Sequence, residues 1–63
     1  MKIEVSHHGT LDLIQPLDTE ALEWLTDNLD KAVMRYAVTA FVIEPRYLAP
    51  ILEGYKEAGG EFH

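Results

Sequence analysis

Polar and apolar positions alternate from the start of the chain. Lys2, Glu4 and Ser6 are polar, and Ile3 and Val5 between them are apolar. The alternation returns in Leu11-Asp12-Leu13, and a period of two marks strands that bury one face. His7-His8-Gly9 lies between the two runs. A two-residue loop at His8-Gly9 pairs Val5 with Asp12 and Glu4 with Leu13, mixing the faces. A three-residue loop at His7-His8-Gly9 pairs Val5 with Leu11 and Ile3 with Leu13. It gathers four apolar residues on one face and sets Gly9 at the left-handed position such loops use. The pattern therefore predicts a hairpin over residues 2–14 with the three-residue loop. This register places Glu4 opposite Asp12, a like-charge pair that costs about 0.2–1 kcal/mol.

After Gln15-Pro16-Leu17 the period changes to three and four. Ala21, Leu22, Leu25, Leu29 and Ala32 form one helical stripe, capped by Asp18 or Thr19, with residues 28–32 as its fraying end. Leu17 and Leu22 have the spacing of a hydrophobic staple about Asp18, and Glu20 in the first turn suits the helix dipole. Glu20, Glu23, Asp27 and Asp30 fall on the opposite face. A third strand is predicted over residues 36–44. Val38, Ala40 and Val42 point one way, and Ala37, Thr39, Phe41 and Ile43 the other. A strand apolar on both faces needs cover on both. A second helix starts near Pro45 or Arg46, where proline suits the first turn. Its stripe is Tyr47, Leu48, Ile51, Leu52, Tyr55 and Ala58. Pro50 would cost about 3 kcal/mol inside it, so a late start near Leu48 or an irregular first turn is expected. Gly59-Gly60 stops the helix, and Phe62 beyond it either adds a short strand or plugs the core.

The order strand, strand, helix, strand, helix gives an α+β fold. It is a small ββαβα domain covering residues 1–63, with the hairpin and third strand in one sheet packed by two helices. If strands two and three run side by side in parallel, the helix between them crosses over with a right hand. The last helix either shares the first helix's sheet face or covers the other. If it shares, one apolar face stays bare and calls for a second copy or a target protein.

Size sharpens that alternative. A chain of 63 residues buries only about 60% of its unfolded surface. Such a core rarely supplies more than about 3–5 kcal/mol. With no cysteine, disulfides and thiolate zinc sites are excluded. Self-association as a homodimer remains, and a composition that is 48% hydrophobic favours it. The opening residues lack a signal peptide's apolar core, and no apolar run approaches the ~20 residues needed to span a bilayer. These features point to a cytoplasmic protein, in a bacterium or a host cell. Eleven acidic residues against five basic ones give a net charge of -6. That argues against nucleic acid and anionic membranes as partners, and permits a basic protein surface.

Chemistry-bearing residues are few. His7 and His8 are neighbours in a tight segment and point apart, and His63 is terminal, so no metal site is expected. Ser6 stands beside His7 without a third partner. There is no glycine-rich phosphate loop, hence no cofactor is expected. Glu44 and Arg46 flank Pro45 and form at most a local ion pair worth about 0–1 kcal/mol. Trp24 borders the first helix's stripe, either as a lid on the core or as an interface anchor, and Arg35, Tyr36, Tyr47 and Tyr55 belong to the same residue classes. Glu20, Glu23, Trp24, Asp27 and Asp30 therefore make up the candidate protein interface.

The stretch Thr19-Glu20-Ala21-Leu22-Glu23-Trp24-Leu25, with Glu44-Pro45-Arg46-Tyr47 and Ile51-Leu52-Glu53-Gly54-Tyr55, resembles small uncharacterised accessory proteins encoded by bacteriophages and prophages. The resemblance spans residues 17–60. It implies a factor that binds and redirects a bacterial enzyme, or one with no known role, and it assigns no residue a role. The expectation is a small acidic protein–protein interaction module without catalysis of its own. The alternatives are a structural component of a larger assembly, or a small ligand-binding or enzymatic domain using His7, His8, Glu44 or Arg46.

Overall fold

The computed structural model describes residues 1–29, 35–36 and 40–62. Along the chain run β1 (Lys2–His8), β2 (Leu11–Pro16), α1 (Thr19–Asn28), β3 (Arg35–Tyr36), β4 (Ala40–Ile43), α2 (Pro45–Glu57) and β5 (Glu61–Phe62). This is the expected ββαβα arrangement with two-residue strands added at both sheet edges. The sheet is five-stranded and mixed, in the order β3-β4-β2-β1-β5. Ala21 and Leu25 of α1 and Tyr55 of α2 share one buried cluster with Ile3, Ile14, Phe41 and Ile43. Both helices therefore lie on the same face of the sheet.

The hairpin departs from the predicted register. Its loop has two residues, Gly9 and Thr10, and Gly9 adopts φ +64°, as the first central position of such a loop requires. The pairs are Ile3 with Pro16, Val5 with Ile14 and His7 with Asp12. The sum of paired residue numbers moves from the predicted 16 to 19. An odd shift turns one strand over. Ile14 and Pro16 thus go to the helix-covered face, while Leu11 and Leu13 go to the other. The predicted clash of Glu4 with Asp12 vanishes: Glu4 faces Gln15, and Asp12 gains His7.

The predicted third strand over residues 36–44 is also corrected. Tyr36 belongs to β3, the central strand starts at Ala40, and the expected positions of residues 37–39 lie outside the described residues. β4 runs antiparallel to β2, not parallel, and β3 runs antiparallel to β4. Two reversals restore direction, so β2 and β3 run the same way with β4 inserted between them. α1 is therefore the connection between strands that run alike but are not neighbours, the split form of a βαβ unit.

α1 begins where its cap predicts. The Asp18 carboxylate accepts from the Ala21 N–H at 2.8 Å. α2 runs unbroken from Pro45, contrary to the late or irregular start expected from Pro50. Proline there removes the donor that would meet the Arg46 carbonyl. Both residues are exposed, so water can serve that carbonyl and the helix need not break. Tyr47 and Ala58, assigned above to the apolar stripe, are exposed. The face that packs is Leu48, Ile51, Leu52 and Tyr55. At the end of α2, Gly60 N–H donates to the Tyr55 carbonyl and Gly59 N–H to the Lys56 carbonyl, the paired bonds of a Schellman cap.

That cap turns the chain beneath Tyr55. The ring is fully buried and its hydroxyl donates to the Glu61 carbonyl at 2.8 Å. β5 then pairs in parallel with Lys2 and Ile3, so Phe62 serves as strand rather than as core plug. A Cβ at Gly60 would sit 2.3 Å from Cζ of Tyr55, so nothing larger than glycine fits unless the ring moves. Gly60→Ala is expected to lower stability by about 1–3 kcal/mol, as overpacking does. Tyr55→Phe should lose only about 0.5–1.5 kcal/mol, the net worth of one hydrogen bond. Urea unfolding followed by circular dichroism measures both.

Candidate functional site

Three of the predicted interface residues are placed as the helical spacing implied. Glu20, Glu23 and Asp27 are exposed on α1, and α1 carries no basic residue. Asp30 lies outside the described residues. Glu20 also meets the Met1 ammonium at 3.3 Å.

Trp24 is half-buried, with one side on the core and the other open to solvent. One edge of the indole meets the Tyr55 ring, with centroids 5.4 Å apart and planes at 74°, a favoured edge-to-face geometry. The other side lines a solvent-open groove of about 260 Å³ between the helices, bounded by Trp24, Asn28, Leu29, Pro50, Ile51 and Gly54. Gly54 keeps the groove open. A Cβ there would stand 3.9 Å from Cζ2 and Cη2 of Trp24, ordinary contact distance, so alanine fits. Glycine inside a helix costs about 0.5–1 kcal/mol relative to alanine. The α2 wall of this groove was not foreseen from the sequence; the signal was a glycine and a proline four residues apart on one helix face.

Helical spacing sets carboxylates next to the lining residues on both walls. Glu20 lies four residues before Trp24 and Asp27 three after it, which places both beside the indole on the α1 surface. On α2, Glu53 follows Pro50 by three and Glu57 follows Gly54 by three. All four carboxylates are exposed. The basic side chains of α2 have other partners: Arg46 meets Glu44 at 2.9 Å and lies over the Tyr47 ring, and Lys56 lies over the Phe62 ring.

The hairpin histidines do not converge. Ser6 and His8 form a hydrogen-bonded pair at 2.9 Å. His7 pairs with Asp12 at 2.5 Å, bridging from an exposed ring to a buried carboxylate. Strand alternation sends these two pairs to opposite sheet faces, so Ser6, a histidine and Asp12 do not form one relay. Glu44 and Arg46 make the local surface ion pair expected of them. Among the described residues, no three histidine or acidic side chains gather closely enough to hold a metal.

The opposite sheet face is a second candidate surface. Leu13 faces Val42 across β2 and β4, and Ser6 and His8 of β1 stand opposite Leu13 and Leu11. Leu11 is exposed, Leu13 and Val42 are half-buried, and Ala40, which shares their face, is buried.

Comparison with protein-family models, with curated proteins and with solved structures returned no match. Among the described residues, no helix is long and apolar enough to cross a membrane.

Asp18 joins α1 to β1, accepting from the Lys2 N–H at 3.0 Å as well as from Ala21. The Ala21 bond, helped by the Met1 ammonium and the Lys2 bond, holds its carboxyl below the ordinary value of 3.8 despite some desolvation. A lowered folded pKa adds stability above that ordinary value, and the gain is lost as pH falls through the folded one. Wild type is therefore expected to exceed Asp18→Asn in urea midpoint at pH 6. The gap should close once the pH drops below the folded value, and a gap unchanged at pH 2 would contradict this.

Proposed function

We propose that this chain is a small acidic protein–protein interaction module, an accessory factor of the bacteriophage type that works in the cytoplasm. It docks on a basic surface of a bacterial host protein and performs no catalysis itself. The observation that carries this reading is the outer surface of α1: Glu20, Glu23 and Asp27 stand exposed with no cation on the helix, and half-buried Trp24 borders them. Such a surface steers a basic partner by long-range attraction, and an aromatic at its border supplies the short-range anchor. Attraction of this kind weakens as salt shortens the screening length.

Self-association belongs to the same proposal and rests on a different observation. With both helices on one sheet face, Leu11, Leu13 and Val42 face outward, and a second copy would cover them by pairing the same patch on each subunit.

The double variant Glu23→Lys/Asp27→Lys should keep its stability within about 0.5 kcal/mol, because exposed substitutions rarely do more. It should nevertheless lose the host protein that wild type retains from bacterial lysate at low salt, as read by mass spectrometry. Equal retention by wild type and variant would remove the acidic helix from the account.

For self-association, light scattering at high micromolar concentration should report a dimer for wild type and a monomer for Leu13→Glu. A monomeric wild type would withdraw the dimer.

A further inference from the structure

We infer that the groove between α1 and α2 is an anchor pocket for one bulky aliphatic or aromatic side chain of a protein segment, with lysine or arginine on either side of that side chain. The inference rests on the interaction reading above and deepens it by naming the chemistry of the partner.

The occupant follows from shape and charge together. At about 260 Å³ the groove is smaller than the ~300–1,000 Å³ of ordinary small-molecule clefts. Its lining is mainly apolar: Trp24, Leu29, Pro50 and Ile51, with Gly54 between them and Asn28 the one polar side chain. A single apolar side chain fits that surface. By helical spacing, Asp27 on one wall and Glu53 and Glu57 on the other set exposed carboxylates on both sides of the entrance, while Glu20 is held by the Met1 ammonium. Arg46 and Lys56 are engaged elsewhere, with Glu44 and the Tyr47 ring and with the Phe62 ring. A segment whose apolar residue enters the groove thus lays its neighbours against carboxylates, and cations complement them where anions would be repelled. Pro50 and Gly54 both give up helix stability on this wall, and each keeps side-chain bulk away from the indole.

The test uses the full chain and three synthetic peptides. One has a single leucine flanked by lysines, one has serine in place of that leucine, and one has glutamates in place of the lysines. Trp24 is the only tryptophan of the chain, so its fluorescence reads the groove directly, and the Gly54 amide resonance reads the opposite wall.

The lysine-flanked leucine peptide should shift both signals saturably, with an affinity that falls as salt rises. The serine peptide should bind at least about ten-fold more weakly, the difference that about 1.4 kcal/mol makes, and the glutamate peptide should leave both signals unmoved. Gly54→Leu, which fills the groove from its α2 wall, should weaken the leucine peptide by a similar factor. Gly54→Ala should raise the thermal midpoint and weaken it by less; this variant decides the matter if Gly54→Leu fails to fold.

The inference is overturned if the leucine peptide fails to bind, if it binds without moving Trp24 and Gly54, or if filling the groove leaves its affinity unchanged. Binding that survives Gly54→Leu but is lost in Glu23→Lys/Asp27→Lys would overturn the pocket while the acidic-surface reading stood.

Discussion

Tyr55 is the point on which this small domain turns. Its ring is fully enclosed, meets Trp24 of α1 edge-on, lies against Gly60 and sends its hydroxyl to the Glu61 carbonyl. One side chain thus joins both helices to the outermost strand. Desolvation raises its phenol pKa above 10.0, with Asp18 adding to the effect. The proton stays in place throughout the neutral range, so the bond to Glu61 is always available. A chain without disulfides has few other means of holding a two-residue strand, since such a strand brings little backbone pairing of its own.

The second constraint is that both helices occupy one side of a thin sheet. With α1 and α2 both packed on one cluster, no described helix is left for the other face. The apolar outward positions on β2 and β4 are therefore the direct counterpart of the core opposite. On the helical side the same economy leaves a groove in place of a filled seam, because Gly54 and Pro50 present little bulk to Trp24. Two surfaces of different chemistry result: an aliphatic sheet face, and an aromatic groove bordered by carboxylates.

Much of this was legible in the residues. The stripe Ala21-Leu22-Leu25-Leu29, the Asp18 cap, Pro45 at a helix start and Gly59-Gly60 at its end each act through neighbouring backbone, and all are found as expected. The hairpin register was not legible, because it is decided at a distance. Counting apolar residues favoured Leu11 and Leu13 inside, whereas the sheet places Ile14 and Pro16 there and lets His7 meet the buried Asp12 carboxylate. Pro50 misled for a related reason: its cost depends on whether the orphaned carbonyl reaches water, and exposure is a tertiary property. At the candidate site, the carboxylates of α1 were readable from spacing alone. The groove was not, since it exists only where two helices meet.

The pairing of β5 with β1 sets Glu61 beside Lys2 and Phe62 beside Ile3, and the Glu61 N–H reaches the Met1 carbonyl at 2.9 Å. These are contacts between the two ends of the described chain, and they close a loop that contains every other element. Closure of so long a loop carries its entropic cost before any bond rewards it. Tyr55 sits at that closure, enclosed with Gly60 and Glu61 against it. The hairpin is built from nearby contacts, whereas β5 reaches across nearly the whole chain to pair with β1. The fold is in this sense a fastened ring, with Tyr55 as its clasp.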